Sequence, residues 1–223
     1  MRIVPSRSQY LRGPIKERPV STDTGTTSSP DLAPAARRLG RLIAGVPDSA
    51  LGAATPCEEY TLGDLIDHVN GFSVGLAWTA AKAWPADKSA PPSGDASRLP
   101  DGWRESIPEQ LDALAAAWGD PAAWEGMTRA GGVDLPASVA GSVALNELVV
   151  HGWDVARALG RPYEVDEAEV DLCLNFVGAA VENSGGAPVE GLFGAAHTAP
   201  DGAGPLDRMI AMTGRDPSWT PPA

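Results

Sequence analysis

Asn146-Glu147-Leu148-Val149-Val150-His151-Gly152-Trp153-Asp154-Val155-Ala156-Arg157-Ala158-Leu159-Gly160 is the stretch on which the reading of this chain turns. It belongs to a run that begins near Ser138, after Pro136, and closes on Gly160 with Pro162 just beyond, the signals of a helix with a glycine C-cap. Glu147 and His151 are four residues apart, which on a helix sets their Cβ atoms roughly 6 Å apart on one face. That is close enough to share a metal ion. Asp154 falls on the same stripe, and Val143, Ala144, Leu148, Val150 and Val155 surround it. The polar groups therefore do not sit on an obviously solvated face, and a buried charge needs a partner.

Working outward, the remaining apolar periodicity is also helical. Leu32, Ala35, Ala36, Leu39, Leu42, Ile43 and Val46 predict a first helix that Pro47 closes. Thr61 is a good N-cap for a second, with Asp64 three residues on, and its apolar face reads Leu62, Leu65, Ile66, Val69 and Phe72 before fading toward Trp84 and Pro85. Residues 86–100, rich in Pro, Ser, Asp and Gly, read as a loop. A third helix is expected over Trp103–Trp118, stopped by Gly119 and Pro121, and a fifth from Asp166 through Val170, Leu174, Val177 and Val181 to Gly185. Strict strand alternation is absent apart from Tyr163–Val165, which is too short to count. The fold class is all-α: a four-helix bundle with an additional C-terminal helix or extension.

A third metal ligand has to come from another helix. His68 lies between Leu65 and Phe72, bordering the core-facing stripe of the second helix. Facing helices of a bundle build metal sites from inward Glu and His in this manner. On spacing alone a metal-free reading stands beside it: His68 hydrogen-bonded at the edge of the core and His151 paired with Glu147 along the helix.

The 223 residues, 43% of them hydrophobic, suffice for one well-cored domain. Seventeen basic against 29 acidic residues give a formal charge of -12, which repels phosphate backbones and anionic lipid. Nucleic acid and membrane are thus excluded as expected partners, which leaves a small molecule, and a homodimer is compatible with the sequence. Two distant cysteines make no disulfide framework, and a cytoplasmic location fits a chain lacking a membrane-length apolar run or a signal-peptide centre. Residues 1–30 are basic and then almost wholly Ser, Thr, Gly and Asp, so they are expected to form a disordered extension ahead of a domain over 31–223.

The segment Thr55-Pro56-Cys57-Glu58-Glu59-Tyr60-Thr61-Leu62-Gly63-Asp64-Leu65-Ile66-Asp67-His68-Val69 resembles the first signature of the mycothiol-dependent maleylpyruvate isomerase metal-binding domain, within the DinB-like superfamily. Residues 146–160 resemble its second signature, an E-x3-H-G-W-D helix. Phe193-Gly194, Leu206-Asp207-Arg208 and Thr213-Gly214-Arg215-Asp216-Pro217 are similar to the closing pattern of its shorter actinobacterial metal-binding members. The resemblance spans about residues 32–219 and implies a DinB-like bundle. It further implies that His68, Glu147 and His151 hold a divalent ion, zinc in the first instance with Ni2+ or Fe2+ as alternatives, leaving a position for water or a thiol such as mycothiol. Tyr60 departs from the tryptophan usual there. The chain is also expected to lack the second domain with which the isomerase helps bind its thiol and substrate, so activity on maleylpyruvate is not implied.

Two functions follow: a metal-dependent mycothiol transferase or isomerase acting on a small electrophile, and a non-catalytic module whose ion ties the second and fourth helices together. A purely structural bundle without stoichiometric metal is the third reading. Asp154 is expected either to orient an imidazole N–H or to pair with Arg157 or Arg161. Cys57 would be reactive if exposed, although burial is the commoner fate; Cys173 reads as core, His197 as surface, and Trp153 as an interhelical residue or a wall of the pocket.

Overall fold

The structure is a computed structural model that describes residues 29–87, 93–189 and 192–222; the expected N-terminal extension lies outside them except for its last two residues. Helices α1 (Ala33–Ala44), α2 (Leu62–Ala80), α3 (Trp103–Trp118) and α4 (Ala137–Ala158) are followed by α5 (Glu167–Ser184) and α6 (Pro205–Met212). Around the bundle α1 neighbours α3 and α4, and α2 likewise neighbours α3 and α4, so α2 and α4 lie side by side. Helix α5 packs on α4 and carries α6. Among the described residues no helix is long and apolar enough to cross a membrane.

Local chemistry sets the helix limits. Thr61 and Asp64 form the expected capping box, the Thr61 hydroxyl accepting from the Asp64 N–H and the Asp64 carboxylate from the Thr61 N–H. Helix α5 begins with a second such box, Asp166 with Glu169, and ends on Gly185 in the left-handed region. Pro108 sits inside α3, with its ring against Gly40 of α1, where a Cβ would come within 3.3 Å. The core between the helices is filled by Leu39, Ile43, Leu65, Ile66, Leu111, Leu114, Trp118 and Leu148, all fully buried.

Three features differ from the sequence expectation. First, α2 ends at Ala80 rather than near Trp84, and Lys82 adopts a positive φ of 54° in the turn that follows. Its ammonium then donates to the carbonyls of Ala122 and Glu125. Second, the chain is not free of strands: β1 (Met127–Ala130) and β2 (Val133–Pro136) pair antiparallel. The connecting Gly131-Gly132 has positive φ at both residues, which is what a tight two-residue hairpin turn requires. Each strand has only four residues, too few for an alternating pattern to stand out. Third, α6 is a short helix beyond the one expected after α4.

The hairpin is fastened to the end of α2 by Thr79, whose hydroxyl donates to the Arg129 carbonyl and whose own carbonyl accepts from the Thr128 hydroxyl. Beside it the Trp124 ring packs on α4 at Gly141, occupying the space of a side chain: a Cβ built there would meet the ring at 2.3 Å. Gly141→Ala in a helix interior ordinarily stabilises by about 1 kcal/mol. Here it is expected to destabilise by roughly 1–3 kcal/mol, as overpacking does. Chemical denaturation of the two proteins checks the sign.

Candidate metal centre

Helix α2 delivers His68, and α4 delivers Glu147 and His151, to the seam where these two helices meet. His151 Nε2 is 3.1 Å and His68 Nε2 is 3.6 Å from the same Glu147 oxygen, Oε2. One donor atom from each residue lies within 4.8 Å of the others. Tetrahedral coordination with bonds of about 2.0–2.1 Å separates neighbouring ligand atoms by roughly 3.3 Å. The donor set therefore fits a divalent ion in chemistry and spacing: two imidazole nitrogens and one carboxylate oxygen.

Aromatic rings wall the seam. Phe72, one turn beyond His68, stands edge-on to the His68 ring at 5.5 Å between centroids and stacks near the His151 ring at 6.0 Å. Tyr60 lies tilted against His68, also at 5.5 Å. The Tyr60 hydroxyl accepts from the Gly94 N–H, and the Asp64 and Asp67 carboxylates accept from the N–H groups of Ala96 and Asp95. Arg98 adds an ion pair to Asp67 at 2.7 Å. Of the expected loop, residues 93–100 are thus strapped onto the first turns of α2 around a 3₁₀ turn at Ala96–Arg98. Tyr60, noted in the sequence only as a departure from the usual tryptophan, is one of the straps.

His151 is held from behind. Its Nδ1 is 3.0 Å from Asp154 Oδ2, leaving Nε2 to face Glu147 and His68. Asp154 is fully buried and also pairs with an arginine, so both expected kinds of contact are made. The arginine, however, is neither Arg157 nor Arg161. Arg215, 61 positions along the chain, donates from Nη2 to Oδ2 at 3.0 Å and from Nε to Oδ1 at 3.3 Å. Arg157 instead donates to the Pro217 carbonyl and lies over the Trp153 ring. Trp153 is accordingly core, and the wall is built by Tyr60 and Phe72. Gly152, between His151 and Trp153, leaves room for the Tyr163 hydroxyl, which would lie 2.2 Å from a Cβ there.

The electrostatics follow from enclosure. Burial by itself would raise the Glu147 carboxyl, but hydrogen bonds and charge from His151 and His68 outweigh it and hold the group well below the usual range. Burial would lower His151; hydrogen bonds to Asp154 and Glu147 overcome it and raise the imidazole to about 9 in the metal-free protein. Asp154 is likewise held low, burial being offset by Arg215 and His151. Cys57 is half-buried and its thiol is pushed up to about 11, chiefly by burial. Cys173 is core and His197 is exposed, as expected.

The fold defined by these elements is an all-α bundle with α1 to α4 at its centre. Within that class the chain belongs to the family described as Mycothiol maleylpyruvate isomerase N-terminal domain, which it matches over residues 32–156. It is similar to two uncharacterized proteins of Mycobacterium tuberculosis, Rv0738 of strain H37Rv and MT0763 of strain CDC 1551, each 31% identical over 128 residues. That stretch is 56% of this chain and 63% of each relative. Among solved structures it is similar to a histidine-to-alanine mutant of the mycothiol-dependent maleylpyruvate isomerase, with a TM-score of 0.50 and 18% identity over 66% of either chain. At that identity the likeness speaks for the fold.

A pH signature follows for the metal-free protein. The raised His151 stabilises the fold fully below about 6.5, its ordinary value, and that contribution is lost as the pH climbs through about 9. The depressed Glu147 contributes above about 4.5 and its contribution disappears on acidification. Chelator-treated protein is therefore expected to be most resistant to heat between about pH 4.5 and 6.5. A thermal midpoint that stays level from pH 6.5 to beyond 9 would contradict the assignment.

Proposed function

We propose that this protein binds one divalent ion, zinc, through His68, Glu147 and His151, and uses it with mycothiol in thiol transfer to, or isomerisation of, a small electrophile. The observation that carries this reading is the convergence of two imidazoles and one carboxylate on a single point between α2 and α4. Membership of a family described by mycothiol and maleylpyruvate isomerase supplies the thiol and the class of reaction. An ion in such a site favours the deprotonated form of a thiol at neutral pH, supplying a nucleophile without a strong base.

The chain's own residues would divide the work. His68 and His151 present Nε2 to the ion, and Glu147 neutralises part of its charge. Asp154 takes the Nδ1–H of His151 and fixes its ring. Phe72 and Tyr60 pack against the His68 ring and would hold it in place. An ion held there would also join two neighbouring helices of the bundle, and this favours a second reading in which metal serves the fold alone.

Metal analysis of untagged protein by inductively coupled plasma mass spectrometry tests the first step. Near-stoichiometric metal, lost in a His68→Ala, His151→Ala double variant, is the expected result. A wild-type protein that takes up neither zinc nor nickel defeats the proposal. For the metal-loaded protein, consumption of a small electrophile that depends on added mycothiol and disappears in His151→Ala distinguishes the catalytic from the structural reading. A large loss of thermal stability on chelation without any thiol turnover favours the latter.

A further inference from the structure

We propose that the Thr213–Pro217 segment is a clamp on the metal centre, in which Arg215 acts through Asp154 as a positioning residue for His151. Ion binding and docking of this segment would then reinforce one another. The inference rests on the metal reading above and adds to it a part of the chain that lies far from the ligands in sequence.

The segment is shaped to send one side chain inward. The Gly214 N–H donates to the Ala211 carbonyl and the Arg215 N–H to the Ile210 carbonyl, the paired bonds of a Schellman ending of α6. Gly214 takes the required positive φ of 84°. Its Cα side also faces Gly194, and a Cβ would meet the Gly194 Cα at 2.7 Å. Two glycines, one from each half of the closing pattern, thus let two backbones cross in contact. The fully buried Thr213 completes the turn, its hydroxyl donating to the Ile210 carbonyl.

From this turn Arg215 reaches α4 with every nitrogen engaged: Nη1 on the Thr213 carbonyl at 3.1 Å, Nη2 and Nε on the two Asp154 oxygens. Asp154 Oδ2 is shared between the guanidinium and His151 Nδ1, each at 3.0 Å. The carboxylate therefore cannot swing without breaking its contact to one of them. Two residues further on, the Pro217 carbonyl accepts from Arg157 at 2.5 Å. The segment is pinned to α4 at Asp154 and again at Arg157, one turn apart. A bound ion would fix His151 from its Nε2 side as Arg215 fixes it from its Nδ1 side, and two such constraints on one ring are coupled reciprocally.

The test uses the full chain, its Arg215→Gln and Arg215→Lys variants, and zinc alone as the probe. Zinc affinity is read by competition with a chromophoric chelator, and amide hydrogen exchange over residues 210–217 is followed with and without zinc. Arg215→Gln is expected to weaken zinc binding by about 10–100-fold, the range seen when an outer-shell partner is removed. Arg215→Lys should recover part of the loss. Zinc should slow exchange over this segment in the wild type and not in Arg215→Gln. If Arg215→Gln fails to fold, Arg157→Gln releases the other anchor and should show a smaller loss in the same direction. A variant that is less stable to heat yet binds zinc within twofold of wild type, with exchange in the segment indifferent to zinc, overturns the clamp and leaves the metal reading standing. A wild-type chain that binds no zinc overturns both.

Discussion

A carboxylate enclosed among helices must be neutralised where it stands, because removal from water costs several kcal/mol that only close partners can offset. Glu147, whose side chain keeps only 14% of its exposure, lives largely under that constraint, and much of the surrounding structure answers to it. It has the two imidazoles close by, at 3.1 and 3.6 Å, so α2 and α4 must run side by side with His68 and His151 facing one another, ring centroids 4.9 Å apart. His151 needs a counterpart on its far nitrogen, which brings Asp154 into the core. Asp154 is a second enclosed charge, and it draws in Arg215 from beyond α6. One acidic residue thus sets off a chain of compensation that crosses from the bundle to the last helix.

That chain also indicates which parts of the site were legible in the sequence. Glu147, His151 and Asp154 lie on one helix at spacings of four and three, so helical periodicity alone aligns them. His68 could be named because it borders a clean apolar stripe opened by a well-formed capping box. Helix α3 was delimited without structural information by Gly119 and Pro121. Arg215 was another matter. Nothing local distinguishes an arginine after a Thr-Gly from one in solvent, and 61 residues of chain separate it from its partner. Only tertiary packing brings the two together, and the sole trace in the sequence was a closing pattern whose meaning lay in a glycine-to-glycine crossing.

The missed hairpin has a similar cause. Residues Met127–Pro136 expose Met127 and Val133 and bury Thr128, so their polarity runs against the usual pattern of apolar inside and polar outside. What fixes the hairpin is a Gly131-Gly132 turn and hydrogen bonds from Thr79, which periodicity does not detect. Where α4 receives Trp124 and Tyr163, it does so at glycines, which a propensity reading counts as weaknesses in a helix. Here the absent side chain is the complement of an aromatic one, and the two are properties of a pair rather than of a residue.

Cys57 stands beside this arrangement, ahead of the Thr61 cap of α2, with a thiol pushed up to about 11. At neutral pH a group of that strength exists as thiolate in only about one molecule in ten thousand, and the thiolate is the reactive form. Burial thus leaves the chain with a poor nucleophile of its own next to a seam lined with donors. Under the proposed function, a reactive thiol of the chain's own would compete with the small thiol for the electrophile. Kept half-buried and protonated, Cys57 would compete poorly, and solvation rather than shape would decide between the two sulfurs.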